Sequence, residues 1–240
     1  SGRETIGRVA AGAVASKILK QLGIEVYAYA SAIGGIELDN NNFSLAERDN
    51  NPFAMPDAKA AQKIKEYADR KLEECNSMGG IIECVVGNMP AGIGDPVFDK
   101  LDANLAKAVM SIGAVKGVEI GDGFKAAQST GLDNNDAFRM QDGRVVKKTN
   151  HSGGILGGIS DGSDIILRAA IKPTPSIASV QQTVNKHGEE IDISIHGRHD
   201  PMIVPRAVVV VEAMTAITLV DMLFTGMTSR LDRIADFYKS

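Results

Sequence analysis

The chain has 240 residues, 44% hydrophobic and 23% charged, with a formal net charge of -4 at pH 7. That balance fits a globular core and lacks the basic footprint of a nucleic-acid binder, so no nucleic-acid partner is expected. Two cysteines and four histidines make neither a disulfide framework nor a zinc spacing.

Residues 3 to 22 have helical periodicity, with a stripe at Ile6, Ala10, Val14, Ile18 and Leu22 and a stop at Gly23. Ser1 and Glu4 have the spacing of a capping box at the start of that helix. The run Ile24 to Ile33 reads as a strand, and a polar loop with Pro52 and Pro56 leads to Asp57. Asp57 is the predicted cap of a second helix reaching about Ser77. A strand follows in "GGIIECVVGNMP", then a turn, then a third helix opening at Asp95-Pro96 and ending near Ile112. "AVKGVEIG" is a further strand. Two hairpins are predicted, around Asp142-Gly143 and around His187-Gly188. Between them lies the strand "DIILRAAI", stopped by Pro173, and a last helix runs from about Pro205 to Leu223.

No linker divides this series, so residues 1-240 read as a single domain. Hairpins beside helices place it in the α+β class. The longest uninterrupted apolar run, Ala207 to Val211, is far short of a membrane span, and no secretory leader is seen. A soluble, cytoplasmic protein with no membrane partner and two reduced thiols is the expectation.

Four segments offer chemistry, each with a plainer reading beside it. The helix opening at Ser1 presents free backbone N–H groups and Arg3, which suit an anion; otherwise Arg3 is a solvated charge. The glycine cluster "HSGGILGGISDG" suits close approach of backbone to a ligand, or a set of turns. "KPTPS", Lys172 to Ser176, is a stiff loop with donors for a phosphate or polar ring edge, or a simple strand-ending turn. "GRHDP" sets Arg198, His199 and Asp200 side by side, for oxyanion binding and proton transfer or as a solvated loop. "GDGFKA" loosely matches a dinucleotide fingerprint, but the residues after it read as loop.

The blocks "SGRETIGRVAAGAV", "PAGIGDPVFDKLDANLAKAVMSIGAVKGVEIGDGF", "NHSGGILGGISDG", "KPTPSI" and "GRHDPMIVPRAVVVVEAM" together resemble chorismate synthase, in the family's order and over essentially the whole chain. The resemblance implies a β-α-β sandwich with helices between antiparallel sheets, and a homotetramer. It implies a lyase that converts 5-enolpyruvylshikimate 3-phosphate to chorismate by anti-1,4-elimination of phosphate, in the shikimate pathway. Reduced FMN is the implied cofactor; some members reduce it with NADPH, others rely on outside reductants.

Matched by motif, Ser1 is implied to touch the flavin or substrate, and Arg3 to meet the anionic substrate. Gly131 in "TGLDNND" and Gly157 in "GGILGG" match flavin-contacting turns. Lys172, Pro173, Thr174, Pro175 and Ser176 match the loop that holds FMN. Arg198 matches an arginine near both flavin and substrate. Asp200 matches the aspartate that helps the flavin act as a base. Met202 departs from a position often Cys, and Leu132 from one often small and polar. Family members carry roughly a third of their chain ahead of the matched region, including two catalytic histidines and phosphate-binding arginines. These 240 residues alone are therefore expected to be inactive, and a non-catalytic flavin-binding or oligomerising fragment is the alternative reading.

Overall fold

The computed structural model describes residues 2–195, 197 and 200–239. Its elements in chain order are α1 (Thr5–Gln21), β1 (Glu25–Ile33), β2 (Ile36–Glu37), α2 (Glu47–Asn50), α3 (Ala58–Glu73) and β3 (Gly80–Gly87). Next come α4 (Leu101–Met110), β4 (Val115–Ile120), α5 (Gly131–Asn134), β5 (Phe138–Gln141), β6 (Arg144–Lys147), β7 (Ile155–Leu156) and β8 (Ile159–Ser160). The last are β9 (Ile165–Ile171), β10 (Gln181–Val184), β11 (Glu190–Ile193), α6 (Val204–Met227) and α7 (Leu231–Lys239). Five strands form one sheet in the order β2-β1-β3-β9-β4, and three antiparallel hairpins stand apart from it. The class is α+β, as the sequence implies.

The chain clusters into two compact units, Ser1–Ala28, Glu83–Ala169 and Val209–Ser240 in the first, Tyr29–Ile82 and Ala170–Val208 in the second. In the first unit Leu19 of α1, Leu101, Leu105 and Val109 of α4, and Val211 and Leu219 of α6 are fully buried. Ile33, Met55, Ile64 and Ile82 are the closed core of the second.

Helix α1 forms where its periodicity predicts, but with another face inward. Ile6 is 71% exposed and Val14 61%, whereas Gly12, Ala15 and Leu19 are buried. The reason is close packing on α6: a Cβ at Gly12 would lie 2.3 Å from the Ala213 Cβ. Small residues let two helix backbones approach, and that overrides a stripe of larger apolar side chains. Of the predicted capping box, Ser1 lies outside the described residues. The Glu4 carboxylate accepts from Arg8 Nε at 2.9 Å, and Arg8 Nη1 donates to Ser111 Oγ at 2.6 Å beyond the end of α4.

Asp57 caps α3 as expected, accepting from Lys59 N and Ala60 N at 2.8 and 3.1 Å. Burial would raise its pKa; the hydrogen bonds from Ala60, Asp39 and Lys59 amides outweigh that and hold it low. The helix stops at Glu73, short of the predicted Ser77, because Cys75 takes a left-handed φ of 53°. Helix α4 begins at Leu101, not at Asp95. Asp95 and Asp99 exchange backbone hydrogen bonds, and Val97 has a φ of 71°, which no right-handed helix accepts. Both predicted hairpins form, β5–β6 on Asp142 and Gly143 and β10–β11 around Gly188.

Among the described residues, α6 is long and apolar enough to cross a membrane by length and composition, although its longest uninterrupted apolar run is short. Half of that stretch is buried within the protein, the pattern of a core helix. Both cysteines are free, and burial pushes the Cys84 thiol up to about 12.

Candidate functional site

Strand β9 alternates buried Ile165, Leu167, Ala169 and Ile171, then ends where Pro173 can donate nothing to a ladder. The loop Lys172–Ser176 leaves the sheet there. Its backbone is tied down within the second unit. Ser77 Oγ donates to Thr174 O at 2.6 Å, and Gln181 Nε2 donates to Pro175 O at 3.1 Å. Thr174 Oγ1, by contrast, is buried without a hydrogen-bond partner among the described residues. A buried hydroxyl left unpaired costs about 1–3 kcal/mol, so this loop keeps an unpaired donor and acceptor between two rigid prolines. Lys172 stands exposed at its entrance. A stiff loop with an orphaned hydroxyl and a nearby cation fits an anionic, polar-edged cofactor such as FMN.

Asp200 is in the same unit as that loop. Its Oδ2 lies 2.7 Å from Arg206 Nη1 in the first turn of α6, a partner that no sequence motif marks. The pair is largely solvated, so it orients Asp200 more than it stabilises the fold. The next residue, Pro201, accepts at its carbonyl from Met78 N at 2.8 Å. The segment Ser77–Met78 thus meets both the 172–176 loop and the 200–201 segment, although by sequence it reads only as a helix end.

Three further predicted residues, Arg3, Gly131 and Gly157, lie in the first unit. Arg3 is exposed in a short 3-10 turn, Gly2–Glu4, that leads into α1. Gly131 opens α5 behind Thr130, whose Oγ1 accepts from Asp133 N. A side chain at Gly131 would meet nothing, so packing does not demand glycine there. Gly157 and Gly158, with φ of 61° and 91°, form the two-residue turn of β7–β8, in the left-handed region that favours glycine. The predictions on Ser1 and Arg198, and the neighbouring His199, lie outside the described residues.

A buried ionic cluster holds the glycine-rich segment. Lys147 Nζ donates to Asp161 at 2.7 Å, Ser152 at 2.8 Å, Asn150 at 3.0 Å and Asp136 at 3.3 Å. Side-chain exposures are 3% for Lys147, 4% for Asp136 and 8% for Asp161. Burial pushes the Asp136 pKa up, but bonds from Ser152 N, Thr149 Oγ1 and His151 N outweigh it and hold the carboxyl well below the usual range. Asp161 is likewise lowered, with Lys147 and Ser163 outweighing burial. His151 Nδ1 lies 3.2 Å from Asn134 O and 3.3 Å from Asp136 Oδ1, two acceptors that assign the proton to Nδ1.

The same architecture removes the dinucleotide alternative. Gly121 sits against the 151–153 backbone, where a Cβ would lie 2.1 Å from His151 O. The next element is a six-residue 3-10 helix, Gly123–Gln128, not the long helix that a pyrophosphate site needs. A hollow on the β10–β11 hairpin, lined by Gln182, Val184 and Asp192 among others, includes none of the predicted residues.

Comparison with known proteins agrees with the motifs. The family model for chorismate synthase matches residues 1–224. The chain is 67% identical over 239 residues to a chorismate synthase of Lachnospira eligens and 65% identical to one of Agathobacter rectalis, spanning 100% of this chain and 65% of each relative. It is 52% identical over 234 residues to a chorismate synthase of Archaeoglobus fulgidus, covering 96% of this chain and 65% of that protein. The chain therefore spans 65% of the length of these curated relatives, just under two thirds. A crystal structure of chorismate synthase superposes with a TM-score of 0.79 at 31% identity, covering 100% of this chain and 68% of the other. By sequence over its first 224 residues and by fold over its whole length, the chain belongs to the chorismate synthase family.

Proposed function

We propose that this protein acts as a lyase of the shikimate pathway, converting 5-enolpyruvylshikimate 3-phosphate to chorismate and phosphate by anti-1,4-elimination with reduced FMN. Family membership supports the reaction class, and one observation carries the cofactor reading. The 172–176 loop is pinned through its carbonyls while Thr174 Oγ1 stays buried and unpaired.

Departure of phosphate from an allylic carbon builds negative charge, which preorganised cations stabilise. Arg3 is the substrate-binding cation assigned in the described residues, and the motif assigns Arg198 to substrate and flavin. Lys172, Pro173, Thr174, Pro175 and Ser176 hold FMN in the second unit, and the motifs assign flavin contacts to Ser1, Gly131 and Gly157 of the first. Asp200 is the catalytic carboxylate, which would help the bound flavin act as a base and is kept in place by Arg206. When bound, reduced FMN supplies the electron density that eases loss of the leaving group.

A cytoplasmic homotetramer belongs to the same reading, and the solvent-facing Ile6 and Val14 of α1 support packing between copies.

The test is to incubate the full-length gene product anaerobically with reduced FMN and 5-enolpyruvylshikimate 3-phosphate. Chorismate formation is the expected result, and its absence overturns the reading. FMN binding without turnover would favour the non-catalytic fragment. Repeating the assay with oxidised FMN and NADPH tests whether the protein reduces its own flavin.

A further inference from the structure

We propose that Ser77 is a positioning residue of the flavin site, acting through the Thr174 peptide, and that Ser77–Gly80 is the clamp that sets the 172–176 loop against the Asp200 segment. The inference rests on the reading of that loop as the FMN site.

Four consecutive residues each engage a different part of the second unit. Ser77 Oγ donates to Thr174 O at 2.6 Å. Met78 N donates to Pro201 O at 2.8 Å, and its side chain is buried. Gly79 O accepts from Gly34 N at 2.9 Å in the turn between β1 and β2. A Cβ at Gly79 would lie 2.3 Å from Ile171 O and 3.1 Å from Pro173 Cδ, and one at Gly80 would lie 2.2 Å from Ala32 O. The clamp therefore has no slack at its glycines, and the backbone of β9 and of the loop lies directly on it.

The Ser77 bond falls on the carbonyl of the residue whose own hydroxyl is unpaired. The 174–175 peptide is planar and Pro175 fixes the φ beyond it. Holding Thr174 O thus fixes the peptide from which Thr174 Oγ1 is presented. The Met78 bond does the same for Pro201, the residue next to Asp200. Among the described residues no other segment donates a hydrogen bond to both, so one rigid strut sets the spacing of two site segments. Preorganisation of this kind raises affinity by removing the cost of ordering the loop.

The experiment compares the full-length wild type with Ser77→Ala, Ser77→Thr and Ser77→Val. Thr and Val have nearly the same shape and differ in the hydroxyl, so that pair decides if Ser77→Ala fails to fold. FMN affinity is read by flavin fluorescence titration, and amide exchange of the 172–177 peptide is read in the FMN-free protein. Ser77→Val is expected to bind FMN about 3- to 10-fold more weakly than Ser77→Thr, the loss of one hydrogen bond, with faster exchange across 172–177. Equal FMN affinity and equal exchange in the Thr and Val variants would overturn the clamp. A wild type that binds no FMN would instead overturn the flavin reading, while the exchange data would still judge the tether.

Discussion

Thr174 and Asp200 separate two kinds of proposed site residue. Among the described residues the Thr174 hydroxyl is buried without a partner, so a ligand that pairs with it offsets the cost of its burial. Thr174→Val keeps the shape and removes the hydroxyl. It is expected to leave urea stability unchanged or slightly raised while weakening FMN binding about 3- to 10-fold. A variant that loses stability and keeps its FMN affinity would show the hydroxyl to be structural. Asp200 should behave in the opposite way. Its carboxylate is partly solvated beside Arg206, so Asp200→Asn should change stability by less than about 0.5 kcal/mol. Under the proposed function, the kcat of the full-length protein for chorismate formation is expected to fall about 10²- to 10⁴-fold, the usual contribution of a positioned acid–base group. Neither property can be read from the sequence. "KPTPS" shows a stiff loop with donors, but only tertiary packing pairs the carbonyl of Thr174 and leaves its hydroxyl over.

Helix α1 shows where periodicity informs and where it misleads. Its length and its stop at Gly23 follow from the pattern, yet the apolar stripe at Ile6, Val14 and Leu22 faces solvent. Gly12 and Ala15 give little hydrophobic signal, although they permit the closest approach. At an exposed helix position Gly→Ala gains up to about 1 kcal/mol. At Gly12 the added Cβ would meet the Ala213 Cβ at 2.3 Å and its Cα at 2.6 Å, neither of which can swing aside. Gly12→Ala is therefore expected to destabilise by about 1–3 kcal/mol, with Ala213→Gly recovering part of the loss in the double variant. Thermal unfolding of the four proteins checks this, and a stabilised Gly12→Ala would refute the packing. The β5–β6 hairpin is easier to read because its Asp-Gly turn determines its own geometry. The start of α4 is harder, since "GDP" resembles a helix opening and closes instead into the Asp95–Asp99 turn.

Acid sensitivity is a property of the whole molecule, because the Lys147 cluster joins residues from 136 to 161 that no local pattern links. The sequence shows a glycine-rich segment there; the charges that hold it become visible only when the chain is folded. Asp136 and Asp161 have folded pKa values below their ordinary 3.8, so the unfolded chain binds their protons more readily. Their stabilisation is complete well above that ordinary value and is lost as pH falls through it toward the folded values. Lys147→Met should cost about 3–5 kcal/mol at pH 7, because it removes the cation buried between two carboxylates. Those carboxylates then titrate more readily, so the variant should lose less on acidification than the wild type does. The stability gap between the two proteins should accordingly narrow from pH 7 to about pH 4. Urea unfolding at both pH values measures it, and a gap of constant size would mean that Lys147 acts by packing rather than by charge.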